Sequence, residues 1–357
     1  MKAMQLVEPA KPLVLKDVGL PSPGGRSALV KVEVCGVCHT DIHLVAGFYD
    51  LGEGRKMTLR DRVMTLPLTL GHEIAGRVQS VGEDAASAEV KPGDAVAVYP
   101  WVGCGSCRNC TSGYENMCES KPRSLGIFAD GGYAEYVLVP DVRYLVKTGD
   151  ISPSQAAPLA CSGITSLSAV RRSGAGPGTL LALIGVGGLG STAVQLAEAA
   201  GAVVVALDVN DAALEVASKA GAEHVVNTRG MAPEAVASAV KGLSEGRGVD
   251  AVVDFVGSQE TFSTGFRMLA KKGRLVSVGL FGGAAQFPLP IFVQRGIELA
   301  GSFTGTLADL EELVRLVRGG VVTPVVADVL GLEEVNLALD RLRAGGVRGR
   351  LLVKPGA

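Results

Sequence analysis

An α/β chain of two domains, one β-rich and barrel-like, the other a doubly wound parallel sheet, is predicted by three observations: the chain's length, a change of texture after Pro158, and a glycine-rich turn between a strand and a helix. At 357 residues the chain exceeds the size at which one hydrophobic core usually stops growing, so it should divide. From Leu29 to about Val146 it carries short β-rich runs, Leu29 to Val34, Ile74 to Val81, Ala95 to Tyr99 and Tyr133 to Val139, punctuated by Pro92-Gly93-Asp94 and Gly131-Gly132. After Pro158 apolar strands alternate with alanine-rich helical stretches. Strands are expected at Leu180 to Ile184, Val203 to Leu207, Val225-Val226, Val249 to Phe255 and Leu275 to Val278, and helices from Ser191, Ala212, Pro233 and Thr261. That alternation marks a parallel sheet wrapped by helices. Beyond about Leu299 the pattern is mixed, ending in the strand-like Arg350-Leu351-Leu352-Val353. The charged, poorly patterned segment Asp50 to Thr65 reads as a surface loop.

Composition narrows the chemistry. With 34 basic against 36 acidic residues and no run of either sign, neither a nucleic-acid surface nor a membrane-seeking face is indicated, and a small-molecule partner is expected. The first residues, Met1 to Pro9, lack an apolar core of the signal-peptide kind, which suggests a cytoplasmic protein. Leu180 to Ala197 is uncharged, but Gly185, Gly187, Gly188 and Gly190 fall in its middle, so it reads as strand, turn and helix rather than a membrane span. Seven cysteines, four of them in one short segment, favour metal over disulfides in an intracellular chain.

The glycine-rich turn is Gly185-Val186-Gly187-Gly188-Leu189-Gly190. Gly185 would permit the tight turn, Gly187 would let the backbone approach a pyrophosphate, and Gly190 would let helix pack on strand. The helix N-terminus then offers N–H groups and a positive dipole end to phosphates. Asp208 ends the second strand eighteen residues past Gly190, where a carboxylate can accept the ribose hydroxyls of NAD and repel the 2′-phosphate of NADP.

Cys104, Cys107, Cys110 and Cys118, within fifteen residues of a polar loop, can close a tetrahedral shell around a structural zinc. Cys35-Gly36-Val37-Cys38 also has the C-x2-C spacing, but the loop cysteines satisfy one ion without it. Cys35 is therefore read as a small buried residue. Three of the four histidines lie in two polar clusters, Cys38-His39-Thr40-Asp41-Ile42-His43 and Gly71-His72-Glu73. The fourth, His224, lies between a helix and a strand of the second domain and is read as structural.

On these motifs the chain resembles, over essentially its full length, the zinc-containing medium-chain alcohol dehydrogenases, especially their bacterial and archaeal NAD-dependent members. The resemblance implies a GroES-like catalytic domain over 1–157 with its structural zinc lobe at about 100–120, a Rossmann NAD-binding domain over 158–298, and a return to the catalytic domain over 299–357. It implies a catalytic zinc on Cys38, His72 and Cys161, a third ligand that spacing alone does not join to the first two. Glu73 then matches an acidic neighbour that ligates the metal in some members, and Asp41 the group that orients His72. Thr40 and His43 match a proton relay, His39 a pyrophosphate contact, and Arg350 an arginine that reaches the cofactor phosphates. Phe48, Trp101 and Ile127 match positions that line the substrate pocket, which implies an apolar alcohol, aldehyde or ketone, aromatic ones included. Two zinc ions and NAD are the implied cofactors. Homo-oligomers, dimers or dimers of dimers, are implied too, with Gly296 to Phe303 as the candidate joining edge.

The expected activity is therefore reversible hydride transfer between such a substrate and NAD. Two rival readings differ from it: a polyol dehydrogenase of the same family, which often has an acid where Cys161 stands, and a non-catalytic zinc- and NAD-binding protein.

Overall fold

The computed structural model describes residues 1–59, 61, 64–85 and 89–356. Its contacts form one unit from Met1–Phe48, Thr58–Ile164 and Gly305–Ala357 and a second from Tyr49–Met57 and Thr165–Thr304. The family resemblance implied domains ending at 157 and 298; the contacts divide at 164/165, inside the helix Ser162–Ser173, and at 304/305, past the last strand of the second sheet.

The first unit is built on a mixed sheet. Along it run Leu145–Lys147, Ala95–Val98, Glu73–Val81, Ala28–Gly36, Arg350–Lys354 and Val326–Gly331, with Tyr136–Val139 also paired to Ala28–Gly36. Ala28–Gly36 holds the middle because its residues, apart from Lys31 and Glu33, are apolar or small and buried. It pairs antiparallel with Glu73–Val81, placing Gly36 opposite Glu73. The end of one strand thus meets the beginning of the other, so the turns carrying Cys38 and His72 emerge at the same sheet edge. Antiparallel pairing of Leu352 with Gly36 brings Arg350, at the start of its strand, to that edge as well.

The second unit holds six parallel strands in the order His224–Asn227, Val203–Asp208, Leu180–Ile184, Val249–Asp254, Leu269–Ser277, Glu298–Gly301. Chain order thus runs outward in both directions from Leu180–Ile184, the doubly wound pattern whose reversal point opens a ligand crevice at the strands' carboxyl ends. Leu180–Ile184 is buried throughout, which is why it reads as an unbroken apolar run. Strand, glycine turn and the helix Gly190–Ala199 account for the uncharged stretch, and among the described residues no helix is long and apolar enough to cross a membrane.

The surface loop expected at Asp50 to Thr65 is instead partly a hairpin, Phe48–Gly52 against Arg55–Thr58. Glu53 and Gly54 both take left-handed backbone (φ 54° and 74°), the two-residue turn that suits strand twist. Residues 60, 62 and 63 of that stretch lie outside the described residues.

Candidate active site

Cys38, His72, Glu73 and Cys161 converge in the first unit. Each offers one ligand atom, all within 4.8 Å of one another, and all four residues are buried. Cys38 precedes the helix His39–Ala46, His72 precedes the strand Glu73–Val81, and Cys161 ends the short turn Ala157–Ala160. His72 is wholly buried, yet its Nε2 has no hydrogen-bond partner among the described residues. A buried ring nitrogen without a partner is costly unless something binds it, and beside two sulfurs the donor set suits zinc. Cys38 is held well below the usual thiol range by a hydrogen bond from Cys161, against the opposing effect of burial, and by the charges of Arg350 and His72. The same contact pushes Cys161 up. Two thiolates side by side in a buried site call for a cation between them.

Asp41, fully buried, lies behind His72, with Oδ1 3.4 Å from His72 Nδ1. Neither atom makes a hydrogen bond among the described residues, so at this length the contact is electrostatic. The other oxygen, Oδ2, accepts the Cys38 N–H at 2.9 Å and the Tyr133 O–H at 2.8 Å. Tyr133 is a participant that sequence reasoning missed. The contact crosses 92 residues, and no local spacing announces it.

Glu73 is grasped by Arg350: Arg350 Nε donates to Oε2 at 2.7 Å and Nη2 donates to Oε1, which also accepts the Ser162 N–H at 3.1 Å. Arg350 is only 4% exposed. The structure thus brings Arg350 to the metal cluster, an association the sequence reading did not make, and both oxygens of Glu73 already carry donors. Burial raises the pKa of Glu73, and the Arg350 charge opposes that rise.

Thr40 and His43 stand three residues apart, on one side of the helix His39–Ala46, and both are half-buried. Burial, and then the nearby His39, lower the pKa of His43. His39 begins the helix with an exposed surface. Trp101 is buried with its ring 5.6 Å from that of His72, and its Nε1 donates to the Ala160 carbonyl at 3.1 Å, tying down the turn that presents Cys161. Ile127 is buried, and Phe48 is half-buried at the start of the hairpin.

The loop cysteines form a second cluster, Cys104, Cys107, Cys110 and Cys118, with ligand atoms all within 4.8 Å. Cys104 and Cys107 sulfurs lie 3.9 and 3.4 Å from that of Cys110, near the edge of about 3.8 Å that a tetrahedral zinc–thiolate shell would have. None of the seven cysteines is in a disulfide. The N–H groups of Ser106 and Cys107 point at the Cys104 sulfur and that of Cys104 at Cys118, bonds that favour thiolate over thiol. Hydrogen bonds led by the Ser106 hydroxyl hold Cys104 at about 4, whereas burial pushes Cys110 to about 12.

In the second unit Gly185 has φ +84°, a Cβ on Gly190 would collide with the Gly185 carbonyl, and a Cβ on Gly187 would meet nothing within 4 Å. One glycine thus makes the turn, another permits the helix to touch it, and the third leaves its outer face open. The helix Gly190–Ala199 has no side-chain cap, and the N–H groups of Gly187, Gly188 and Leu189 have no acceptor among the described residues. Such a cradle suits a pyrophosphate. Half-buried Asp208 accepts the Val186 N–H at 2.9 Å through Oδ2 and the Asn210 N–H at 3.0 Å through Oδ1, so it also braces the glycine turn from the neighbouring strand.

Comparison with known proteins matches both parts of the chain. Residues 24–150 match the alcohol dehydrogenase GroES-like domain, and residues 188–319 match the zinc-binding dehydrogenase family. NAD-dependent alcohol dehydrogenases of Sulfurisphaera tokodaii and Saccharolobus solfataricus are each 42% identical over 99% of this chain and 100% of their own. The crystal structure of the alcohol dehydrogenase from Aeropyrum pernix superposes with a TM-score of 0.89 at 38% identity, covering 99% of this chain and 100% of that one. With both sets of cysteines in place, the glycine cradle formed and the whole length aligned, the chain belongs to the zinc-containing medium-chain alcohol dehydrogenases.

Proposed function

We propose that the protein is an NAD-dependent, zinc-dependent alcohol dehydrogenase acting on apolar alcohols and the corresponding aldehydes or ketones. The observation that carries this reading is the buried group of Cys38, His72 and Cys161, two sulfurs and an imidazole whose Nε2 has no hydrogen-bond partner among the described residues. When bound, zinc supplies the Lewis acidity that polarises a substrate oxygen, and NAD supplies the carbon that takes or returns the hydride. The Asp41 carboxylate beside Nδ1 orients His72, and Tyr133 and the Cys38 N–H fix Asp41. Thr40 accepts the substrate's proton at its hydroxyl oxygen while giving up its own hydroxyl proton to the relay, and His43, three residues on and half-open to water, takes that proton on its ring and releases it to solvent. The open face of Gly187 and the free N–H groups after it receive the pyrophosphate, with His39 as a further phosphate contact. Arg350 holds Glu73 off the metal as an ion pair, and its match to the family arginine makes it a candidate contact for the cofactor phosphates. Each oxygen of Asp208 has one lone pair beyond its backbone bond for a ribose hydroxyl.

The apolar sides of Phe48, Trp101 and Ile127 select the substrate. Cys161 in the third ligand place favours simple alcohols over polyols. The loop cysteines hold a second, structural zinc. Seven free cysteines suit a reducing, cytoplasmic setting. The strand Glu298–Gly301, paired on one side only, is the edge through which subunits join. Metal analysis of the purified protein together with NADH formation from benzyl alcohol tests the reading: about two zinc ions per chain and turnover are expected. Zinc without turnover across aliphatic, benzylic and polyol alcohols would overturn it.

A further inference from the structure

The second unit contains a cavity of about 710 Å³ that the dehydrogenase reaction does not use. It lies between the helices Pro233–Gly242 and Gln259–Met268 and the segment 286–295, and neither the glycine turn nor Asp208 lines it. Its volume is in the range of small-molecule sites. Phe266, buried, and Phe287 form an aromatic wall, their centroids 5.4 Å apart, and Ile291 extends it.

Three cations line the same space, Lys241, Arg267 and Arg295, against a single carboxylate, Glu234. Glu234 is already paired with Arg267 at 3.0 Å. Arg295 donates only to the Leu269 carbonyl, and the Lys241 ammonium has neither ion pair nor hydrogen bond among the described residues. Burial, then the charges of Arg295 and Arg267, lower the pKa of Lys241. Lys241 and Arg295, like charges in a half-buried space with no counter-ion of their own, raise the free energy of the empty cavity, and an anion would relieve it. The aromatic wall asks for an apolar body on that anion.

We propose that this cavity is a binding site for an organic monoanion with a flat apolar body, of the aryl carboxylate class, its carboxylate on Lys241 and Arg295 and its ring on Phe266 and Phe287. The site is independent of the dehydrogenase reading, since none of its residues belongs to the metal clusters or the dinucleotide cradle.

The test is a calorimetric titration of the zinc-loaded protein, saturated with NAD, with 1-naphthoate. Saturable binding is expected, weakened about tenfold or more in Lys241→Gln, retained in Lys241→Arg, and abolished in Ser238→Trp, which fills the cavity from the exposed face of its helix. Neutral 1-naphthamide should not compete. The proposal is overturned by the absence of saturable binding, by equal affinity for the amide, or by binding that survives both Lys241→Gln and Ser238→Trp in protein whose circular dichroism is unchanged.

Discussion

Arg350→Met should be among the most damaging single substitutions in the first unit, although Arg350 is not a zinc ligand. Glu73 is 0% and Arg350 4% exposed, so the pair lies beyond the reach of solvent screening. The Glu73 carboxylate has three donors, two from Arg350 and one from the Ser162 backbone; methionine keeps the volume and removes two of them. At an effective dielectric of about 20, unit charges about 4 Å apart attract by roughly 4 kcal/mol. Removing one member of a buried pair costs about 3–5 kcal/mol for the same reason, because the other charge stays behind without compensation. Glu73→Gln should cost less, since the charges of Cys38 and Cys161 also favour the Arg350 cation. The double variant should recover most of the loss, because neither charge is then left alone. Guanidinium unfolding of zinc-loaded protein, followed by the emission of Trp101, reports on this region directly: it is the chain's only tryptophan and lies 5.6 Å from His72. A loss of under about 1 kcal/mol in Arg350→Met, or a double variant no more stable than Arg350→Met, refutes the reasoning.

The glycine turn separates binding from folding. Gly187→Ala should leave the melting temperature unchanged while weakening NADH binding in a fluorescence titration, whereas Gly190→Ala should lose about 1–3 kcal/mol of stability as well, because its methyl meets the Gly185 carbonyl. Thr40→Val should keep zinc and NAD and lose roughly 100-fold in kcat, and wild-type rates would remove the relay. A depressed pKa keeps His43 neutral, and so able to accept a proton, to below the ordinary 6.5. The acidic limb of kcat against pH should therefore fall below that value and be absent in His43→Gln. Tyr133→Phe deletes the donor to Asp41 Oδ2 and should weaken zinc binding about tenfold in competition with a chelator; unchanged affinity would show that Asp41 needs no such support. Asp208→Gly should raise kcat/KM for NADP relative to NAD, and an unchanged ratio removes the basis for cofactor choice.

The parts of this protein that could be read from its residues are those completed within a short span of chain. The four loop cysteines form a whole ligand shell within fifteen residues, and strand, turn and helix from Leu180 to Ala199 form a whole dinucleotide cradle. Several strands of the first unit were also legible to within a few residues, Leu29 to Val34 where Ala28–Gly36 stands and Ile74 to Val81 where Glu73–Val81 stands, but Lys2–Leu6, Val14–Asp17 and Val326–Gly331 were not. The hairpin Phe48–Thr58 was not, since its exposed, charged strands lack alternation and its turn depends on Glu53 taking left-handed backbone. Contacts made by pairing strands remote in the chain were illegible for a deeper reason. Arg350 meets Glu73 across 277 residues and Tyr133 meets Asp41 across 92, and no pattern of spacing encodes either contact. Cys161 joined its partners only through resemblance.

What makes the metal cluster is register. Gly36 faces Glu73 on one side and Leu352 on the other, so one short stretch of the central strand sets Cys38, His72 and Arg350 side by side. Ala28–Gly36 reaches that alignment after two irregularities in its pairing with Glu73–Val81, between Leu29 and Val30 and between Val32 and Val34. A slip of one residue would turn the side chain of Glu73 to the opposite face of the sheet, away from Arg350, and leave both charges without a partner. The buried ion pair therefore opposes misregistration most strongly at the position where the ligands must meet. On this argument its larger contribution is to the uniqueness of the metal geometry rather than to net stability, and the Arg350→Met, Glu73→Gln double variant separates the two. It should unfold close to wild type yet bind zinc more weakly than Glu73→Gln alone.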